Sequence, residues 1–302
     1  NAFRLIYGEA DFLSGLTVDK FNDVLVCQIL SLGIDVRKDI ILKALYDVVS
    51  EYFTVRGIYL RCDVALREKE GLEEYVGWYD KIPVTSQETT TEIIENDLKY
   101  LVDFKEGQKT GFFLDQKYNR LTIRNLAKDM TVLDCCTHTG SFAMNAALGG
   151  AKKVMALDIS EKALEDAKKN FELNNLNIDT CCADLFDYLR KLVDSKNKEY
   201  NLIILDPPAF TKSKDTIKSA LKGYQEINYL AMKALPRGGY LATASCSHYA
   251  SEEDFTRAIF NASVMAGVTL RVVKKSYAAP DHPEVMGIPE TKYLKFFIFQ
   301  VV

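Results

Sequence analysis

The sequence predicts an α/β protein whose larger part is a Rossmann-like, doubly wound parallel sheet. After about residue 105, buried apolar runs such as MTVLDCC and YNLIILDPP alternate with amphipathic helical segments. The runs are continuously apolar, which is typical of strands that helices cover on both faces. Two strand-like runs near the end, TLRVV and YLKFFIFQVV, have no helix between them, and they predict a terminal antiparallel strand.

Residues 1–104 are predicted to form a small N-terminal α+β domain, and residues 105–302 the larger domain. The run TVDKFNDVLVCQIL has two apolar stretches around Asn22-Asp23, which is a hairpin signal. The run VRKDIILKALYDVVSEYF has apolar residues at helical spacing, and GIYLRCDVAL and YLVDF are typical of strands. No residue in this part points to catalysis.

The larger domain is predicted to alternate strands with helices. In chain order these are MTVLDCC, SFAMNAALGG, KKVMALD, SEKALEDAKKNFELNN, YNLIILDPP, IKSALKGYQEINYLAMKAL, GGYLATASC and SEEDFTRAIFNASVMAG. Ser160 and Ser251 are expected to cap the N-termini of two helices, and Gly149-Gly150 to end another.

Composition and charge exclude several classes of protein. A formal net charge of −4 argues against attraction of nucleic acid to the whole surface, although it leaves room for a local basic patch. Seven irregularly spaced cysteines and three histidines favour neither a zinc site nor a disulfide framework, so we expect no metal and a reduced, cytoplasmic protein. No apolar run approaches the roughly 20 residues of a membrane span. Because the sequence begins without Met, we expect a piece of a longer chain.

Acidic residues follow the predicted parallel strands, where an open α/β sheet binds its ligands. These residues are Asp134, Asp158, Asp184 and Asp206. Thr139-Gly140 stands at the entrance of the helix after the first strand, where a tight turn needs glycine and leaves helix amides free for a ligand.

The spacing around Gly140 favours a ribose-containing ligand without a pyrophosphate. The turn is not G-x-G-x-x-G, but Asp158 follows Gly140 by 18 residues, close to the distance at which an acid receives a ribose diol. S-adenosylmethionine has a ribose and no phosphate, and it suits such a turn. The alternative is that Asp158 only caps the next helix.

The motif LDPPAF fixes a carboxylate at the edge of the sheet. Its two prolines stop the buried strand and hold the chain extended, so that Asp206 can bind a ring nitrogen or amino group of a nucleobase. A proline turn with a solvated Asp206 is the alternative.

The motif ASCSH presents Cys246 at the end of the next predicted strand. At that position a cysteine is a candidate nucleophile, and the alternative is a small buried core residue. If the segment continues as a strand, His248 points to the same side as Cys246.

The chain resembles the class I S-adenosylmethionine-dependent methyltransferases and, within them, the ribosomal RNA large-subunit cytosine-5 methyltransferases. The resemblance covers nearly the whole sequence through a series of ordered motifs. These are RLIYGEADFLSGLTVDKFNDVLVCQ, GQKTGFFLDQKYNR, VLDCCTHTGSFA, ALDISEKALEDAKKN, DPPAFTKSK, GYQEIN, SCSH, APDHPE and PETKYLK.

The resemblance implies S-adenosylmethionine as cofactor and assigns residues to each of its parts. Asp115 and Gln116 would lie near its methionine end, Asp134, Thr139 and Gly140 would line its methionine and ribose side, Asp158 would take the ribose hydroxyls, and Asp184 with Leu185 the adenine. Asp206 would face both the methyl donor and the target base. Ser160 is counted with the cofactor-binding residues.

The implied chemistry needs a thiolate. Attack of Cys246 on C6 of cytosine would activate C5 for methylation, with Asp206 against N3 or N4 to stabilise the charge that develops. His248 is favoured as a surface or RNA-contacting residue over a base, His138 as structural or cofactor-adjacent, and His282 as lining the base pocket. The family's N-terminal PUA-type module is missing from this sequence. Ala209-Phe210 replaces a second cysteine that many RNA cytosine-5 methyltransferases have, so the base that removes the C5 proton stays unidentified.

Large-subunit ribosomal RNA is the implied partner, and its contacts are expected beside LDPPAF. Lysines there would contact phosphates, and aromatic side chains would stack on a flipped-out base. The candidates are Phe210, Lys212, Lys214, Lys218, Lys222 and Tyr224. A solvated charged face is the alternative, and the oligomeric state stays open, a homodimer included.

Two other functions fit the same residues. A methyltransferase of this fold that acts on guanine or on an exocyclic amine would also use Asp-Pro-Pro with a following aromatic residue, without a nucleophilic cysteine. A non-catalytic RNA-binding or assembly protein on the same scaffold would need neither the acids nor Cys246.

Overall fold

The computed structural model describes residues 1–211 and 214–302, with every side chain in those ranges except that of Lys214. The described residues divide into two compact units, one of residues 1–117 and 279–291 and the other of residues 118–278 and 292–302. The predicted boundary after residue 104 differs from this division, because residues 105–117 and 279–291 group with the first unit.

The first unit contains a mixed sheet and a separate hairpin. Its elements are β1 (Ala2–Tyr7), β2 (Leu16–Phe21), β3 (Val24–Ile29), α1 (Leu32–Asp35), α2 (Lys38–Ser50), β4 (Gly57–Cys62), α3 (Leu66–Lys69), β5 (Tyr75–Trp78), β6 (Thr90–Glu95) and β7 (Leu98–Asp103). The sheet order is β1-β2-β3-β4-β5, and β6 pairs with β7. The predicted hairpin is confirmed, since Phe21 pairs with Val24 and Asn22 has a left-handed backbone.

The second unit alternates strands and helices, as the sequence predicts. Its elements are α4 (Lys117–Leu126), β8 (Thr131–Cys135), α5 (Ser141–Leu148), β9 (Lys153–Asp158), α6 (Glu161–Leu173), β10 (Asp179–Cys182), α7 (Leu185–Ser195), β11 (Leu202–Leu205), α8 (Ile217–Ala234), β12 (Tyr240–Ser245), α9 (Glu252–Ala266), β13 (Leu270–Ser276) and β14 (Lys295–Val301). The predicted caps are confirmed: the Ser160 hydroxyl accepts from the Ala163 amide at 3.2 Å, and the Ser251 hydroxyl accepts from the Asp254 amide at 3.0 Å.

The sheet of the second unit has the order β10-β9-β8-β11-β12-β14-β13. Strands β8 to β12 run parallel, and β14 runs antiparallel to both β12 and β13. The predicted doubly wound sheet with a terminal antiparallel strand is therefore confirmed. Strand order reverses between β8 and β11, so the carboxyl ends of these strands flank the crevice where ligands bind in such sheets.

Apolar side chains cover both faces of this sheet. Phe297 in β14 packs against Phe255 in α9, whereas the preceding residue, Phe296, stacks on Phe142 in α5 with ring centroids 5.5 Å apart. Successive strand residues point to opposite faces, so α5 and α9 lie on opposite sides of the sheet. Among the described residues, no helix is both long enough and apolar enough to cross a membrane.

Candidate active site

The acids predicted at the ends of the parallel strands converge on one edge of the sheet. Asp134 lies in β8, Asp158 ends β9, Asp184 follows β10 by two residues, and Asp206 directly follows β11. Burial raises the pKa of the Cys136 thiol, and the negative charges of all these acids raise it further. The carboxylates are therefore all close enough to act on the Cys136 thiol.

Asp134 is fully buried and joins β8 to the loop and helix that follow. Its Oδ2 accepts hydrogen bonds from the Thr137 hydroxyl at 2.6 Å and the Ala143 amide at 2.9 Å. Its Oδ1 is buried and has no hydrogen-bond partner within residues 1–211 and 214–302. Burial raises the pKa of Asp134 to about 7 against the effect of these hydrogen bonds, and the charges of Asp206 and Asp158 add to the increase. A cation placed beside Oδ1 would reverse that penalty.

The loop of residues 136–140 has an unusual backbone. Cys136, His138 and Gly140 have φ angles of 60°, 50° and 79°, in the left-handed region that costs a non-glycine residue free energy. The Thr137 amide donates to the Leu157 carbonyl at 2.9 Å, which ties the loop to β9. A Cβ at Gly140 would lie 2.3 Å from the Phe171 ring, so only glycine fits there.

Asp158 and Thr139 connect the same loop to β9 and α6. The Asp158 carboxylate accepts from the His138 amide at 2.9 Å and the Ser160 amide at 3.0 Å. The cap of α6 is Ser160 itself, and the Thr139 carbonyl accepts from the Asn170 side chain at 3.0 Å. Each carboxylate oxygen has a second lone pair, so Asp158 can still accept the hydroxyls of a ribose.

Asp184 caps helix α7. Its Oδ1 accepts from the Phe186 amide at 2.9 Å and the Asp187 amide at 3.1 Å, and Leu185 is buried as the first helical residue. A structural role therefore accounts for Oδ1.

The LDPPAF segment continues the edge of the sheet beyond β11. The Asp206 amide donates to the Cys135 carbonyl at 3.5 Å, one residue past the end of the β8–β11 pairing. Phe210 is half-buried, with its ring centroid 4.7 Å from that of Tyr224. A Cβ at Gly223 would lie 3.1 Å from the Phe210 ring, so this glycine allows the ring to pack on α8.

Cys246 directly follows β12 and is half-exposed, whereas Cys27, Cys62 and Cys135 are buried. The Ser245 hydroxyl donates to the Tyr224 hydroxyl at 3.0 Å. Burial raises the pKa of Tyr224 to about 12, opposed by that bond, and the charges of Cys246 and Asp206 raise it further. Cys246 and Asp206 are therefore both near the Tyr224 hydroxyl.

Tyr224 and His248 correct two parts of the sequence prediction. Tyr224 is fully buried against Phe210 and Phe255, so the prediction that it stacks on a base as an exposed ring is wrong. The argument that His248 points to the same side as Cys246 also fails, because β12 ends at Ser245 and residues 248–250 bend. His248 itself is exposed, and its ring lies 5.2 Å from that of Tyr249.

The predicted lysines are only partly described. Lys212 lies outside the described residues, and Lys214 begins a short 3-10 turn, Lys214–Thr216. Lys218 and Lys222 are exposed on α8, in positions open to a phosphate backbone.

The remaining predicted residues belong to the first unit. Asp115 and Gln116 are buried in a 3-10 turn, and the Asp115 carbonyl accepts from the Ala279 amide at 2.8 Å. His282 is buried, with its Nδ1 2.9 Å from an Asp281 carboxylate oxygen and its ring 5.3 Å from that of Tyr7. Burial raises the pKa of Tyr7 to about 12, and Asp115 adds to the increase against the effect of Arg4. Tyr7 was not predicted as a residue of this region, although the motif RLIYGEAD contains it.

Sequence analysis also missed Lys295. This lysine is fully buried at the start of β14, opposite Ser245 in the β12–β14 pairing. A charged residue at the head of the apolar run FFIF was the available signal.

Residues 65–297 match the family model described as S-adenosylmethionine-dependent methyltransferase. The chain belongs to this family. Over essentially its whole length, this methyltransferase is similar to proteins named ribosomal RNA large subunit methyltransferase I. The one from Pseudoalteromonas atlantica is 41% identical and is matched over 99% of this chain and 74% of its own length. The one from Escherichia coli strain SMS-3-5 is 38% identical, over 100% of this chain and 75% of its own length.

Solved structures share the fold of this methyltransferase. A protein proposed to be a methyltransferase and crystallised with SAH, S-adenosylhomocysteine, superposes with a TM-score of 0.85 at 23% identity, over 99% of this chain and 75% of that chain. The SAM-dependent methyltransferase from Agrobacterium tumefaciens gives a TM-score of 0.67 at 17% identity, over 99% and 90% of the two chains. At these identities the likeness concerns the fold.

Substitution of Gly140 tests the loop geometry. We expect Gly140→Ala to lose about 1–2 kcal/mol of unfolding free energy from the left-handed backbone and about 1–3 kcal/mol more from the clash with Phe171. Gly238→Ala is the matched control, because Gly238 has a φ of 84° but no other atom lies within 4 Å of the place that its Cβ would take. Urea denaturation of both variants measures the difference, and equal losses would contradict the clash.

The raised pKa of Asp134 predicts a pH-dependent stability. In the unfolded chain this carboxyl titrates near 3.8, and in the folded protein near 7. Between these values the folded state holds a proton that the unfolded state has lost, so the stability from this group falls as pH rises to about 7. An asparagine side chain at the same position cannot titrate. From pH 5 to 7 the wild type should therefore lose unfolding free energy relative to Asp134→Asn, and above pH 7 the difference should level off. A difference that stays constant with pH would refute the burial effect.

Proposed function

We propose that this methyltransferase forms 5-methylcytosine in large-subunit ribosomal RNA, with Cys246 as the covalent nucleophile and Asp206 beside the target base. Relatives that are 38–41% identical over essentially the whole chain are named for methylation of this RNA. The choice of cytosine and of its C5 atom depends on Cys246.

The acidic edge fits S-adenosylmethionine. When bound, this cofactor supplies an activated methyl group on a positively charged sulfur. Asp134, Thr139 and Gly140 would hold its methionine and ribose side, Asp158 the ribose hydroxyls, and Asp184 with Leu185 the adenine. The buried Oδ1 of Asp134 suits a positively charged ligand, as does the concentration of carboxylates around Cys136. The roles of Asp115, Gln116 and Ser160 stay predictions.

The observation that carries the proposal is that Asp206 and Cys246 directly follow two neighbouring parallel strands, β11 and β12. Strands β11 and β12 pair in parallel, with Leu205 opposite Thr243, so both residues follow the carboxyl ends of neighbouring strands. Both also act on the Tyr224 phenol. A half-exposed sulfur and a carboxyl group thus lie at one edge, as an attack on a pyrimidine requires.

The chain's residues would act in the following order. The Cys246 thiolate attacks C6, and a sulfur–carbon bond forms. The π electron pair of the C5=C6 double bond moves toward C4 and N3, which makes C5 nucleophilic. Asp206, against N3 or N4, stabilises the charge that develops in the ring. After C5 has gained the methyl group, a base takes its proton, and the returning electron pair expels Cys246 as thiolate.

Contacts with RNA are proposed around the same edge. Lys218 and Lys222 on α8 are exposed and would neutralise phosphates, and the exposed His248 lies two residues beyond the nucleophile. Roles for Phe210 and His282 at the base stay predictions, as do the cytoplasmic location, the independence from metal and a homodimer.

Substitution of Cys246 tests the nucleophile. With S-adenosylmethionine and RNA that contains 5-fluorocytidine, the wild type should form a covalent complex that survives denaturing electrophoresis, because after methyl transfer C5 carries fluorine in place of the proton whose removal releases the enzyme. Cys246→Ala should form no such complex and should lose methyl transfer to cytosine by at least about 10³-fold. Its affinity for S-adenosylmethionine, measured by titration calorimetry, should be unchanged.

Cys182→Ala is the matched control, since Cys182 is exposed and its thiol donates a weak hydrogen bond to the Ile159 carbonyl at 3.4 Å. It should keep both the covalent complex and methyl transfer. Full activity in Cys246→Ala would exclude the cytosine C5 mechanism and favour guanine or an exocyclic amine as the target. Absence of cofactor binding to the folded wild type would instead favour a non-catalytic scaffold.

A further inference from the structure

A buried ammonium group holds the segment that carries Cys246. The Lys295 side chain is fully buried, and its Nζ donates to the Ser247 carbonyl at 2.6 Å and the Ala250 carbonyl at 2.7 Å. Both carbonyls belong to the connection between β12 and α9, which begins at Cys246. The lysine therefore bridges two carbonyls of this connection and fixes its path.

The strand register brings the lysine to the chain segment that carries the cysteine. Ser245 is the pairing partner of Lys295, and Cys246 is the next residue. Burial lowers the pKa of Lys295 to about 8, and the negative charge of Cys246 opposes this change more than that of Glu252 does. A thiolate at Cys246 would therefore act more strongly on the buried ammonium than the Glu252 carboxylate does.

The other charged groups near Lys295 and Cys246 have partners of their own or are acids. Glu252, in the first turn of α9, already binds Lys275 at 3.2 Å and Tyr277 at 3.0 Å, with Lys292 at 3.7 Å. On the side of α8 and β11, the charges of Cys246 and Asp206 both act on the Tyr224 phenol. An acid disfavours a thiolate, so a cation is needed to offset it.

Burial of an ammonium group is costly unless hydrogen bonds and a counter-charge compensate for it. Two carbonyls take two of its three protons, and neither carries a full charge. An uncharged methionine would pack in the same space without this requirement. An anion close to the ammonium group would supply the counter-charge that the two carbonyls lack.

We propose that Lys295 is a positioning residue for Cys246: it fixes the connection after β12 and places a positive charge beside the sulfur, which favours the thiolate. This inference rests on the nucleophilic role proposed for Cys246. It adds the source of the thiolate, which no residue of the acidic edge can supply.

The test measures the thiol directly, in the full chain without RNA or cofactor. The rate at which iodoacetamide alkylates Cys246 is followed from pH 6 to 10, with mass spectrometry of the peptide that contains Cys246. Lys295→Met should reduce this rate about tenfold at pH 7, equivalent to a rise of about one unit in the thiol pKa. The rate at high pH, where the thiol is fully ionised, should change little. Lys295→Arg, which keeps the charge, should restore much of the rate at pH 7.

Lys20→Met is the matched control for removal of a buried lysine. Lys20 is also buried and donates to backbone carbonyls, those of Asn22 at 2.5 Å and Asn1 at 3.5 Å, but it lies in the first unit. This variant should lose stability without any change in the pH profile of Cys246. A folded Lys295→Met variant with a wild-type profile would overturn the proposal, because a purely structural role predicts that result.

A second measurement covers the case in which Lys295→Met does not fold. Nitrogen-15 NMR of the Lys295 side chain gives its pKa in the wild type and in Cys246→Ser. Loss of the thiolate should lower the lysine pKa by about one unit, and an unchanged value would overturn the proposal. Neither measurement involves RNA, so failure of this coupling is distinguishable from failure of the methylation mechanism, which appears as activity in Cys246→Ala.

Discussion

The Asp134 carboxyl group makes the connection on which the rest of the site depends. One buried oxygen accepts both the Thr137 hydroxyl and the Ala143 amide, so strand β8, the loop of residues 136–140 and helix α5 are held in one arrangement. The left-handed residues of this loop keep their conformation because those bonds, and the Thr137 amide on β9, fix the loop on both sides. The second oxygen is buried and has no hydrogen-bond partner within residues 1–211 and 214–302.

The proposed function places two opposing electrostatic demands on the same edge of the sheet. A positively charged methyl donor is favoured by closely spaced carboxylates, which raise the pKa of Asp134 and of the Cys136 thiol. A nucleophilic sulfur needs the opposite environment. The fold separates the two along the sheet, with the acids at β8, β9 and β10 and the buried Lys295 on the antiparallel side, at β14. Asp206, at β11, stands between these regions.

Local sequence patterns predicted the fold and the acidic residues. The burial of Tyr224 and the position of Lys295 depend on long-range contacts, which local patterns do not record. The strand ends at Asp134, Asp158 and Asp206 are marked by apolar runs, a glycine turn and prolines, all within a few residues. The burial of Tyr224 depends on contacts between α8, the segment after β11 and α9, which no local pattern records. Lys295 meets the Cys246 segment only through strand pairing, in which it lies opposite Ser245, 50 residues earlier in the sequence.

Strand β14 lies between β12 and β13 and forms hydrogen bonds with both, although it comes last of these strands along the chain. During synthesis, β12 is complete well before β14 emerges. Until then the growing polypeptide exposes a backbone edge of an apolar strand, which is a template for pairing with other molecules. Translation of β14 covers that edge and therefore ends an interval in which this polypeptide can pair with other molecules.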